Sequence, residues 1–145
     1  MHLSECRLHE KRLYQALAHL ETRPGFPFNG QSYRHLQETD ALLAFSDQVI
    51  YRFSKLQDTM GAKLFRSLLA YEGENIDRPF LDLLNVLERM EVLDVEEWFE
   101  IREIRNEIAH DYETEEEKGA ELLNTIHAVA EEVTKILDRI EALLK

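Results

Sequence analysis

The chain of 145 residues is long enough for one domain with a substantial core and leaves little room for another, so we predict a single domain over residues 1–145. Hydrophobic residues make up 44%, and only eight positions (five Gly and three Pro) are Gly or Pro, which excludes a disordered or fibrous chain. The formal net charge of −12 argues against a protein that coats nucleic acids nonspecifically, because binding to phosphates depends on positive surface.

The first half of the chain is predicted to form two helices separated by a turn. The first helix ends at the turn-rich sequence RPGFPFNG of residues 23–30. The leucines that indicate it are Leu3, Leu13, Leu17 and Leu20. A second, long helix is predicted from about residue 33, reaching Gly61 and able to continue to Tyr71. Its apolar residues, spaced by three and four, are Leu42, Phe45, Val49, Phe53, Leu56 and Met60.

Two further helices are predicted in the middle of the chain. Asp77, just before Pro79, opens a short helix that runs through Met90. The next helix is capped at its N-terminus by Asp94 together with Glu97. Its predicted buried face consists of Trp98, Ile101, Ile104 and Ile108. Because the tryptophan shares this apolar stripe, we interpret it as a core residue.

The last helix is predicted from about residue 115 to residue 144, a length of roughly 45 Å. Thr114, three residues before Glu117, has the spacing of a capping box for its start. Apolar residues alternate steps of four and three over three heptads: Leu122, Ile126, Val129, Val133, Ile136, Ile140 and Leu143. With no alternating strand pattern, the fold class is predicted as all-α, an up-and-down four-helix bundle with one or two short extra helices.

The sequence RNEIAHDY of residues 105–112 places several chemically active side chains at the end of the fifth helical segment. Arg105 and His110, five positions apart, differ by about 140° around a helix, so we expect them to flank a groove. Asn106 and His110 are four apart, so the asparagine amide is expected to hold one imidazole nitrogen. Arg102, one turn before Asn106, adds a second guanidinium.

This set of side chains suits metal-free cleavage of RNA. A base takes the proton of the ribose 2′-OH, the oxygen attacks the adjacent phosphorus, and a cation stabilises the crowded phosphorane. His110 is our candidate base and Arg105 our candidate cation. Since the reaction needs both an acid and a base, we expect a homodimer that places two copies face to face.

Two other interpretations of the segment stay open. Basic residues near the C-terminus of a helix interact favourably with its dipole, so the segment could be an ordinary helix end. Glu107 and His110 have the Glu-x-x-His spacing of di-iron bundles, but the chain has one such step and Arg105 beside it would repel a cation. We therefore expect neither a metal nor another cofactor.

Arg105, His110 and Tyr112 reproduce an R-x4-H-x-Y motif, within WFEIREIRNEIAHDY of residues 98–112. With the helical RFSKLQDTMG of residues 52–61 upstream, the chain resembles HEPN-domain toxins of the HepT type. The resemblance implies a homodimeric four-helix bundle whose paired Arg and His line a cleft, and a metal-independent ribonuclease acting on tRNA or mRNA. It also implies an MNT nucleotidyltransferase antitoxin that inactivates the toxin by transferring AMP to Tyr112.

An alternative function belongs to another class: a non-catalytic, substrate-binding partner subunit of a small nucleotidyltransferase. Such a subunit has no need of His110 or Tyr112. A candidate for RNA binding is a basic row that forms if the second helix runs unbroken through Gly61. The alternative, which we favour slightly, is that the row pairs with the acidic segment 88–117. Its members are Arg52, Lys55, Lys63 and Arg66.

The single cysteine, Cys6, cannot form an internal disulfide, which is typical of a reducing compartment. The first residues, MHLSECRLHEKR, are polar, and no run of about 18 apolar residues occurs. We therefore expect a cytoplasmic protein without a membrane segment or secretory signal.

Overall fold

The computed structural model describes residues 2–22, 25–110 and 112–145, and none of these residues lies in a β-strand. Arg23 and Pro24 of the predicted turn and Asp111 of the RNEIAHDY segment lie outside the described residues. The helices are α1 (Leu3–Leu20), α2 (Gly30–Glu38), α3 (Asp40–Thr59), a π-helical segment (Met60–Leu64), α4 (Phe65–Tyr71), α5 (Phe80–Arg89), α6 (Val95–Ile108), a 3-10 turn (Tyr112–Thr114) and α7 (Glu116–Leu143).

The prediction of one helix from about residue 33 is wrong at Thr39. Its backbone is extended, with φ −108° and ψ 107°, and separates α2 from α3. The helix also begins earlier than expected, because Asn29 and Ser32 form a reciprocal capping box in front of Gly30. Past Gly61 the helical path continues to Tyr71, as the sequence allowed, through the π-helical segment and α4.

The later helices lie close to their predicted ranges, and one of their three predicted N-terminal signals, Asp94, is confirmed. The Asp94 side chain accepts a hydrogen bond from the backbone N–H of Glu97 at 3.0 Å, as predicted for the start of α6. The start of α5, in contrast, is set by Pro79 rather than by Asp77. The capping box predicted at Thr114 is wrong, because α7 begins after Glu115 with no side-chain cap and Thr114 belongs to the 3-10 turn.

Four helices, α1, α3, α6 and α7, form the bundle, and neighbours in it run antiparallel. Near the start of α1, Arg7 contacts Asp138 near the end of α7 at 2.7 Å. Further along α1, His19 stacks on Phe45 in the first half of α3, with ring centroids 4.0 Å apart. The all-α bundle predicted from periodicity is confirmed.

The core of the bundle is continuous from α1 to α7, and Trp98 of α6 is fully buried in it, as predicted. The helix α2 is a short addition that packs against α7. Within the described part of the chain, no helix is both long and apolar enough to cross a membrane.

Candidate functional site at the end of α6

Arg105 lies in the last turn of α6 and faces α3, where Asp58 holds it. Arg105 Nε donates to Asp58 Oδ1 at 3.1 Å, and Arg105 Nη2 donates to Oδ2 at 3.3 Å. Both side chains are partly exposed, so we expect this pair to add little stability. Its consequence is geometric: one edge of the guanidinium is fixed, while Nη1 forms no hydrogen bond with any described residue and stays available to an anion.

His110 lies beyond the end of α6, which finishes at Ile108 with Ala109 as its C-cap. Its backbone is anchored, since the N–H donates to Glu107 O at 3.1 Å and the carbonyl accepts from the N–H of Tyr112 at 2.8 Å. The imidazole is exposed and forms no hydrogen bond with the described residues. It borders a depression of about 460 Å³ together with Tyr112 and with Lys118 of α7.

The predicted contact between Asn106 and His110 is wrong. The Asn106 amide donates instead to Glu103 Oε2, at 3.4 Å. The prediction assumed helical stacking of residues four apart, but α6 ends two residues before His110, so that spacing no longer brings the two side chains together.

The structure therefore turns Arg105 and His110 toward different neighbours within one chain. Arg105 is directed at α3 through Asp58, whereas His110 borders the depression next to α7. Arg102, one turn before Asn106, is exposed on α6 and lies near Asp58 in a second pocket. Asp58 is the residue that sequence reasoning missed, because only the packing of α3 against α6 gives it a partner.

Tyr112 is partly buried against the core, in the 3-10 turn between α6 and α7. Burial raises the pKa of the Tyr112 hydroxyl, and the negative charge of neighbouring Glu113 raises it further. The phenol is therefore fully protonated near neutral pH. The turn is tied to α2 by a hydrogen bond from Gln37 Nε2 to the Glu113 carbonyl at 3.1 Å.

The four basic residues proposed as a row fall on two sides of α3 and α4, because residues 60–64 are π-helical and shift the register. Arg52 contacts His9 at 3.0 Å, and Lys63 approaches Glu5 at 3.9 Å, so both are directed at α1. Lys55 Nζ lies 5.8 Å from the centre of the Tyr51 ring.

Arg66 instead donates to the Ile76 carbonyl at 3.1 Å and borders the same pocket as Arg102. The condition for a single row, an unbroken α-helix, is not met. Pairing of these four residues with the acidic segment 88–117 is likewise not seen among the described residues.

In residues 2–22, 25–110 and 112–145, no group of three or more His, Cys, Asp or Glu side chains is arranged to hold a metal ion. No known protein family, curated protein or solved structure matches the chain.

Proposed function

We propose that this chain is the toxin of a HEPN/MNT toxin–antitoxin pair, a cytoplasmic, metal-independent endoribonuclease that cuts tRNA or mRNA. The observation that supports the proposal is the state of two side chains at the end of α6. Arg105 is oriented by Asp58 with Nη1 left free, and the His110 imidazole is exposed without a hydrogen-bond partner among the described residues. A fixed cation and an accessible imidazole are what cleavage by the ribose hydroxyl requires.

In the proposed reaction, His110 takes the proton of the ribose 2′-OH. The 2′-oxygen then bonds to the adjacent phosphorus, and the bond from phosphorus to the 5′-oxygen breaks. The leaving 5′-oxygen takes a proton from a second imidazolium, which gives a 2′,3′-cyclic phosphate and a 5′-hydroxyl. Arg105 stabilises the negative charge on the phosphorane through Nη1, which Asp58 leaves free.

The second imidazole would come from a homodimer. The motif supplies a single His110 in each chain, and within one chain Arg105 is directed at α3 whereas His110 borders α7. A second copy facing the end of α6 would bring one chain's guanidinium toward the other chain's imidazole. The two-fold symmetry of such a pair brings two copies of His110 to the site, so that one copy acts as the base and the other as the acid.

The switch in this proposal is Tyr112, which would accept AMP from the partner nucleotidyltransferase. The phenol oxygen would bond to the α-phosphorus of ATP, and pyrophosphate would leave. Because the pKa of Tyr112 is raised, the proton must be removed by a base of the partner enzyme. Tyr112 and His110 border the same depression, so a nucleotide on the phenol adds bulk and negative charge beside the imidazole.

The test uses purified chain incubated with cellular RNA in the presence of EDTA. We expect the wild type to cut RNA, and His110→Ala and Arg105→Ala each to lower the rate by about a hundredfold or more. His35→Ala is the matched control, since His35 is exposed on α2. A wild-type chain that cuts nothing, or a His110→Ala variant that cuts as well as the wild type, contradicts the nuclease and favours the substrate-binding subunit.

A second arm of the same experiment adds the partner nucleotidyltransferase and ATP. Wild-type cleavage should be lost as AMP appears on the chain by mass spectrometry, whereas Tyr112→Phe should keep cutting. AMP attached to another residue would refute Tyr112 as the acceptor.

A further inference from the structure

A pocket of about 480 Å³ lies beside the Arg105–Asp58 pair, where α3, the π-helical segment, α5 and α6 meet. Its volume is within the range of roughly 300–1,000 Å³ that small-molecule sites occupy. The residues that matter for its chemistry are Asp58, Gly61, Arg66, Phe80, Phe99 and Arg102.

Positive charge dominates this pocket although the chain carries a net charge of −12. Arg66 and Arg102 border it, and the only acid lining it within the described part of the chain, Asp58, is already engaged by Arg105. Arg102 forms no hydrogen bond or ion pair with a described residue, so its guanidinium can donate hydrogen bonds to a ligand. Two guanidinium groups in a pocket whose carboxylate is paired with Arg105 favour an anion, above all a phosphate.

The pocket also presents aromatic rings. Phe99 is 46% exposed, which is unusual for a phenyl side chain in a folded domain, and the partly buried Phe80 also lines the pocket. Phe99 and Arg102 are one helical turn apart on α6, so their β-carbons lie roughly 5–6 Å from each other. An exposed ring next to a free guanidinium is the combination that binds the base and the phosphate of a single-stranded nucleic acid.

We propose that this pocket holds one nucleotide of the RNA strand next to the bond that is cut. The base lies against Phe99 and its phosphate against Arg102, with Arg66 on the far side. This assignment rests on the proposed function and narrows its substrate to an unpaired stretch of RNA, because a base inside a duplex cannot reach the ring.

The experiment measures binding without cleavage, by fluorescence anisotropy of a labelled oligouridylate of about eight nucleotides, with every protein carrying His110→Ala. Adding Phe99→Ala or Arg102→Ala should weaken binding about tenfold each. The matched controls, Leu8→Ala and Arg89→Ala, change exposed side chains away from the pocket and should leave the affinity unchanged. Phe99→Leu keeps an apolar side chain without a ring and should weaken binding as Phe99→Ala does.

A strand of the same length with every base removed separates the two contacts. Its affinity should still fall with Arg102→Ala but should not respond to Phe99→Ala. If Phe99→Ala lowers the affinity equally for the strand with bases and the strand without them, Phe99 acts through the fold, and the assignment is overturned. Unchanged affinity in both pocket variants would also overturn the assignment. The same holds if light scattering shows that Phe99→Ala lowers binding only because it dissociates the dimer.

Failure here is distinguishable from failure of the proposed function. If the wild type cuts RNA and His110→Ala does not, while Phe99→Ala and Arg102→Ala bind RNA normally, the nuclease stands and the pocket assignment falls. If RNA binding depends on Phe99 but no RNA is ever cut, the nucleotide pocket stands and the nuclease falls.

Discussion

His9 shows how one buried hydrogen bond fixes a protonation state. Arg52 Nη1 lies 3.0 Å from His9 Nδ1, and since a guanidinium can only donate, the imidazole nitrogen must accept. The contact therefore favours the neutral imidazole, and His9 is only 8% exposed. Burial, followed by the positive charge of Arg52, lowers the pKa of His9 below its ordinary value.

Stability should consequently fall in mild acid, in part through His9. Below an ordinary histidine pKa of about 6.5, the unfolded chain binds a proton at residue 9 that the folded chain does not. Folding free energy is therefore lost as pH falls from about 6.5 toward the lowered pKa of the folded state. His9→Gln should lose less stability than the wild type between about pH 7.5 and pH 5.5, measured by urea unfolding.

His35→Gln is the control, because His35 is exposed, and its pH dependence should match that of the wild type. Since the carboxylates titrate alike in all three proteins, their effect cancels in the comparison. Identical acid sensitivity of the His9→Gln variant and the wild type would contradict the assignment.

The protonation state of Cys6 also follows from the surroundings of a single residue. The side chain is fully buried, and burial raises the pKa of its thiol to about 12. The thiol therefore stays protonated near neutral pH.

At the scale of elements, the docking of α2 on α7 depends on a missing side chain. Gly119 in the first third of α7 lies directly beneath the ring of Tyr33, which is 2% exposed. A β-carbon on residue 119 would overlap the Tyr33 ring. The aromatic ring can lie flat on the helix only because the position is a glycine.

Gly119→Ala should therefore destabilise the fold. Overpacking of this kind costs about 1–3 kcal/mol, from which up to about 1 kcal/mol gained by alanine in a helix is subtracted. Gly61→Ala is the matched control, since its β-carbon would meet Trp98 at an ordinary distance of 3.4 Å. Urea unfolding should show a lower midpoint for Gly119→Ala than for the wild type, and an unchanged or higher midpoint for Gly61→Ala. Equal urea midpoints for Gly119→Ala and the wild type would contradict the prediction, because they would show that the Tyr33 ring moves aside without loss of stability.

At the scale of the whole molecule, charge is unevenly distributed along the chain. Residues 61–145 contain ten Lys or Arg against twenty-two Asp or Glu, so most of the surface of the second half repels RNA. The proposed site lies where arginines of α4 and α6 surround Asp58. An acidic surface with one basic pocket favours local capture of a strand over nonspecific coating.

The proposal that two chains share one site predicts that His110→Ala chains inactivate their wild-type partners. A mixed dimer of wild-type and His110→Ala chains keeps only one imidazole, so it lacks either the acid or the base. When the two chains are denatured together and refolded, the RNA cleavage rate should therefore fall with the square of the wild-type fraction. A rate that falls only in proportion to the wild-type fraction would indicate that each chain acts alone.

The sequence by itself determined the all-α class, most of the helices and which side chains lie at the end of α6. Spacing of apolar residues by three and four located α1, α6 and α7, and the Asp94 cap was readable because it involves residues three apart. Two predictions from local sequence failed. Thr39 interrupts a periodic segment and separates α2 from α3, and α6 ends before His110, so Asn106 does not reach it.

Only the tertiary structure decided which groups meet across helices. The partnership of Asp58 with Arg105, the seat of Tyr33 on Gly119 and the exposure of Phe99 beside Arg102 depend on how far each helix is rotated and shifted against its neighbours. Rotation and shift are set by the close packing of many core side chains at once, and no short stretch of sequence contains that information.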